Sequence, residues 1–88
     1  MRVEDLSLEC RLEQLAEECC EFGQAALKLA RVLRKENPTP KTEADAVYNL
    51  IEECADVRVC INALGDLIPS TSGLEETKRK RWEARLND

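Results

Sequence analysis

Apolar positions in the first third of the chain recur at the spacing of a helix. Leu8, Leu12, Leu15, Cys19, Phe22, Ala26, Leu29 and Leu33 advance by fours and threes, which lines one face of an element with 3.6 residues per turn. Ser7 stands where an N-cap belongs. The pattern predicts a helix over residues 7–36, stopped by the two prolines of NPTP at residues 37–40. A second stripe runs through Val47, Leu50, Cys54, Val57, Ile61 and Leu64. Thr42 and Asp45 open it with the spacing of a capping box, and Gly65 closes it. After the loop LIPSTSG, Ser72 and Glu75 repeat the capping spacing before a short basic helix that runs into RWEARL. No period-two alternation marks a strand. The predicted fold is therefore all-α: one domain over residues 1–88, a long helical hairpin plus a short third helix.

The length of the first helix adds a further expectation. At 1.5 Å per residue it reaches roughly 45 Å, whereas a compact domain of this size has a radius of gyration of about 12 Å. Two such helices do not enclose their own stripes. Assembly into four-helix-bundle-like oligomers, a homodimer or homotetramer, is the expected remedy.

Composition narrows the function. The chain has 43% hydrophobic and 35% charged residues, only Phe22, Tyr48 and Trp82 as aromatics, and a net charge of -5. That balance argues against nucleic acid as a partner, because it offers neither a cationic surface nor a stacking platform. No apolar run nears the roughly 18 residues of a membrane span, and residues 1–10 lack the apolar core of a signal peptide. The expectation is no membrane partner and a cytoplasmic location. Cys10, Cys19, Cys20, Cys54 and Cys60 then read as reduced thiols in apolar use. Histidine is absent, which removes a Glu-x-x-His di-iron bundle and disfavours zinc.

The acids are placed unevenly. Only two acidic pairs stand three apart, Glu18 with Glu21 and Glu53 with Asp56, one near the middle of each long helix. At about 100° per residue, Gln14, Glu18, Glu21, Ala25 and Lys28 form a row beside the first apolar stripe. Asn49, Glu53, Asp56 and Cys60 form the corresponding row on the second helix. If the hairpin packs antiparallel along its stripes, the rows converge. Four carboxylates so gathered need protons or cations, and a hard divalent ion with oxygen ligands supplies the charge. The first helix also starts acidic and ends basic, as the helix dipole favours on any solvated face. Periodicity leaves both readings open, a solvated acidic face and a metal site.

The stretches EECCE, residues 17–21, and ECAD, residues 53–56, resemble the EExxE and ExxD motifs of the MazG-like, all-α nucleoside triphosphate pyrophosphohydrolases, and the similarity extends over most of residues 8–66. Residues 22–52 make the interval between the motifs look longer than is usual in that family, and the short chain leaves a fourth helix to a partner subunit. The resemblance implies Glu18, Glu21, Glu53 and Asp56 as ligands of Mg²⁺, with Mn²⁺ as a possible substitute. Glu17, the extra glutamate of the first motif, becomes the candidate for orienting the attacking water or holding a further ion. The doublets Glu17–Glu18 and Glu52–Glu53 leave the register open by one residue. The implied reaction is attack of water at the α-phosphorus of an NTP or dNTP, giving a monophosphate and pyrophosphate, in nucleotide-pool housecleaning. Such chemistry rests on positioning and charge neutralisation. Lys28, two turns beyond Glu21, and Lys78, Arg81 and Arg85 on the third helix are the candidate phosphate-binding cations. A non-catalytic helical oligomer that binds a metal or a basic partner through its acidic face is the competing expectation.

Overall fold

The computed structural model describes residues 1–36 and 42–88. Among them every regular element is helical: α1 (Leu8–Arg34), α2 (Glu43–Asn62) and α3 (Ser72–Leu86), with single 3₁₀ turns at Val3–Asp5 and Gly65–Leu67. No helix is long and apolar enough to cross a membrane among the described residues.

The helix starts follow from their caps. The Ser7 hydroxyl accepts from the Cys10 amide at 3.2 Å, and Thr42 Oγ1 accepts from the Asp45 amide at 3.1 Å, each satisfying one of the donors that a helix start leaves free. α1 ends as Lys35 turns left-handed, with φ 58°, a conformation more often met at glycine or asparagine. The proline-bearing connection, residues 37–41, lies outside the described residues. Gly65 takes the same left-handed conformation, φ 58°, where the chain leaves α2, so the expected stop signal is used. The start of α3 differs from expectation. Ser72 is already helical and Thr71 is the cap residue. The Thr71 hydroxyl donates to the Glu75 carboxylate and the Ser72 hydroxyl pairs with Ser70, so the cap lies one residue before the expected Ser72.

α1 and α2 form the hairpin, and their contact is the only substantial one between helices among the described residues. α1 turns only part of its expected stripe, Leu15, Phe22 and Leu29, out of solvent. The positions turned toward α2 are Arg11, Leu15, Glu18, Phe22, Ala25, Leu29 and Val32, while Leu8, Leu12, Cys19, Ala26 and Leu33 stay exposed. The interface is thus rotated toward the acidic row, and Glu18 sits within it rather than beside it. On α2 the inward positions are Ala46, Leu50, Glu53, Val57 and Cys60, continued by Leu64 beyond the helix end. Both sets keep the four-three spacing of a coiled-coil seam.

The enclosed core is small. Only Ala25, Ala46, Val57, Ala63 and Leu64 are buried among the described residues, and just two of these carry more than a methyl group. α3 has no buried residue at all; its Trp82 is 62% exposed. The molecule is accordingly a slab, 43 × 38 × 17 Å, with a radius of gyration of 16.5 Å against the roughly 12 Å of a compact chain this long.

Candidate metal centre

Arg11 sets the register of the hairpin. Its Nη1 donates to the Ala63 carbonyl at 2.6 Å and its Nε to the Leu6 carbonyl at 3.2 Å. One guanidinium therefore ties the start of α1 to the end of α2. With that register, the centres of both helices face each other, and the seam carries Glu18 from α1 and Glu53 from α2. An ordinary seam puts apolar side chains at such positions.

One carboxylate oxygen each from Glu18, Glu53 and Asp56 lies within 4.8 Å of the others. Glu18 and Glu53 are half-buried and Asp56 is exposed at the rim, so the group opens to solvent on one side. Gln14, one turn before Glu18, donates from Nε2 to Glu18 Oε1 at 2.8 Å. The second oxygen of Glu18 and the Oε2 of Glu53 are buried and have no hydrogen-bond partner. Unpaired buried carboxylate oxygens are costly, since each has lost water and gained nothing. Partial burial raises the Glu18 carboxyl above its usual range, the Glu21 and Asp56 charges add to the rise, and the Gln14 hydrogen bond opposes it.

Hard divalent ions bind oxygens at about 2.0–2.6 Å, so oxygens on opposite sides of one ion stand about 4–5 Å apart. The separation of the three carboxylates and the two orphaned oxygens fit such an ion. Cys60 borders the group from α2. Burial raises its thiol first, and the Glu18 and Asp56 charges and Cys19 raise it further. In the metal-free chain it therefore stays protonated near neutrality.

The other expected residues are distributed unevenly. Glu21 is exposed and lies outside the tight group, yet its charge bears on Glu18. Of the two doublets, Glu18 and Glu53 turn inward while Glu17 and Glu52 are exposed. Lys28 is exposed two turns along α1. Lys78, Arg81 and Arg85 are exposed on α3, which makes no substantial contact with either hairpin helix among the described residues, and none of the three belongs to the carboxylate group. Lys78 instead lines an open groove along α3 with Glu75, Arg79, Trp82, Glu83 and Leu86. Sequence reasoning assigned no role to Arg11, Gln14 or Cys60. Gln14 and Cys60 were in the acidic rows, and their neighbourhood was the available signal. Arg11 carried none, because a charged residue breaks the apolar period it belongs to.

Comparison of the chain with protein families, curated proteins and solved structures finds no match in any of the three.

Proposed function

We propose that the chain is a Mg²⁺-dependent nucleotide pyrophosphohydrolase that converts an NTP or dNTP to the monophosphate and pyrophosphate, working as a homo-oligomer. The observation that carries this reading is the pair of buried, unpartnered carboxylate oxygens, Glu18 Oε2 and Glu53 Oε2, set in the seam of the hairpin. A seam that only held two helices together would gain nothing from them. The resemblance of EECCE and ECAD to the MazG-like motifs names the chemistry that such a centre serves.

In this reading Glu18, Glu53 and Asp56 hold the ion, and Glu21 joins them from the next turn of α1. A Mg²⁺ ion held by these residues would supply neutralisation of phosphate oxygens and a lower pKa for a bound water. The rest falls to the chain's own side chains. Gln14 fixes Glu18 through its 2.8 Å hydrogen bond, which leaves the opposite oxygen directed away from it. Glu17, exposed beside the centre, orients water and accepts its proton. Lys28 extends along the same helix toward the phosphate tail, and Lys78, Arg81 and Arg85 complete the cationic complement once α3 is held against a hairpin.

A second reading, a non-catalytic metal-binding bundle, is favoured by one observation: α3, which carries the cations, makes no substantial contact with the hairpin among the described residues. One experiment separates the two. Pyrophosphate release is measured from a panel of NTPs and dNTPs with Mg²⁺ and again with EDTA. Mg²⁺-dependent release with a monophosphate product is the expected result. No release from any nucleotide by a correctly folded chain would favour the binding role.

A further inference from the structure

Five of the chain's 13 lysines and arginines stand in residues 78–85, and on α3 they divide into two sets. Arg79 pairs with Glu83 at 2.9 Å and Lys80 with Glu76 at 3.2 Å, each across one turn of the helix. Lys78, Arg81 and Arg85 form no ion pair with a described residue. At about 100° per residue these three fall within about 60° of one another, and the two ion pairs lie on the far side of the helix. The neutralised cations therefore face one way and the unneutralised ones the other. Leu74 stands among the three, and Trp82 and Leu86 border them. These apolar side chains are 63%, 62% and 70% exposed, and α3 buries no residue at all.

We propose that this face of α3 docks an acidic, amphipathic helix of a partner protein. Carboxylates of the partner, at helical spacing, lie against Lys78, Arg81 and Arg85, and its apolar side chains cover Trp82 and Leu86. Charge complementarity sets the sign: a basic or neutral partner leaves three cations without a counter-charge. The exposed apolar side chains set the class. Tryptophan and arginine are the residues most often found as anchors of protein interfaces, and here they alternate along one face. A helix of 15 residues is also marginal alone in water, because most helical stability comes from packing. Its two ion pairs add only about 0.2–0.5 kcal/mol each, and a partner helix supplies the packing that the hairpin does not.

Two other anions fit less well. A helix that lies on a lipid surface keeps its apolar residues on one side and its cations on the other. On α3, Lys78 and Arg85 fall between Leu74 and Trp82 around the helix, so no purely apolar side exists to enter a bilayer. A nucleic acid would satisfy the cations and stack on Trp82, yet it would leave Leu74 and Leu86 in water. A chain of net charge -5 also repels a polyanion as a whole, more than it repels a short acidic segment. The inference goes beyond the proposed function and holds whether or not the chain hydrolyses nucleotides.

Trp82 is the chain's only tryptophan, so its emission reports on this face directly. The full chain is titrated with a synthetic helical peptide of about 15 residues, in which glutamates at every third or fourth position are flanked by leucines. A lysine-for-glutamate twin, an oligothymidylate and phosphatidylserine vesicles are titrated beside it. Saturable binding of the acidic peptide, with a blue shift of Trp82 emission and weakening in high salt, is the expected result. The double variant Lys78→Gln/Arg81→Gln should weaken it about tenfold, with helical circular dichroism retained. Lys80→Gln, which removes a charge from the far side, should not. No binding of the acidic peptide up to about 1 mM overturns the proposal, as does equal binding of its lysine twin or an equal loss in Lys80→Gln. Tighter binding of the oligonucleotide or the vesicles, lost in the double variant, gives the face to phosphate and overturns it as well. So does a self-assembly of the chain that the double variant dissolves, since the occupant is then a second copy.

Discussion

Glu18 is held where a seam residue is normally apolar, with one oxygen on Gln14 and the other buried without a partner. Its raised pKa fixes the sign of a pH effect. A carboxyl that is easier to protonate in the folded chain than in the unfolded one favours folding below the unfolded value, near 4.5. That contribution is lost as the pH rises through the higher folded value. The metal-free chain should therefore lose stability through this group as the pH climbs above about 4.5. Mg²⁺ should oppose the loss, because it favours the ionised form. Thermal melts between pH 4 and 7 in EDTA, repeated on Glu18→Gln, check this: the variant should show a shallower fall. For catalysis, Glu18→Gln, Glu21→Gln, Glu53→Gln and Asp56→Asn should each lower turnover by about 100-fold or more, with helical content unchanged. Wild-type rates in all four would remove the centre from the mechanism.

At the scale of elements, the hairpin owes its register to Arg11, which joins two carbonyls from different parts of the chain. Arg11→Met keeps the length of the side chain and removes both bonds. Loss of the charge-assisted, partly buried bond to Ala63 should cost about 1.5–3 kcal/mol in urea unfolding, and Arg11→Lys should not restore it because an ammonium lacks the planar fork. The helices themselves were legible in the sequence, since period and caps agreed at Ser7 and Thr42. The facing of α1 was not. Two rows with identical spacing run side by side, one wholly apolar and one interrupted by Arg11 and Glu18, and an apolar criterion draws from both: Leu15, Phe22 and Leu29 from the inward row, Leu12, Cys19, Ala26 and Leu33 from the exposed one. The same interruption is what reveals the centre once the helices are placed together. The pairing of Glu18 with Glu53 and Asp56 was anticipated from their rows. The lack of a substantial contact between α3 and the hairpin was not, because a basic helical stretch reads the same whether it packs on its own chain or waits for a partner.

For the whole molecule, the slab shape, the small buried core and the exposed α3 have one consequence for stability. A chain that buries so little alone should gain stability with concentration, as assembly removes folded protein from the unfolding equilibrium. The melting temperature should rise by several degrees between about 2 and 200 µM, and a value independent of concentration would point to a monomer that folds unaided. The acidic face makes a separate demand. Carboxylates gathered across two helices repel, and a bound divalent cation turns that repulsion into attraction between α1 and α2. Folding and metal binding should therefore be linked in the same direction.

That linkage is the most direct test of the central claim. Magnesium is titrated into the metal-free chain, followed by calorimetry and by thermal melting, beside Glu53→Gln at equal concentration. The account expects saturable binding by the wild-type chain and a melting temperature raised by several degrees, both lost in the variant. Equal melting of the two chains in Mg²⁺ and in EDTA, with no heat of binding at millimolar Mg²⁺ or Mn²⁺, would contradict it.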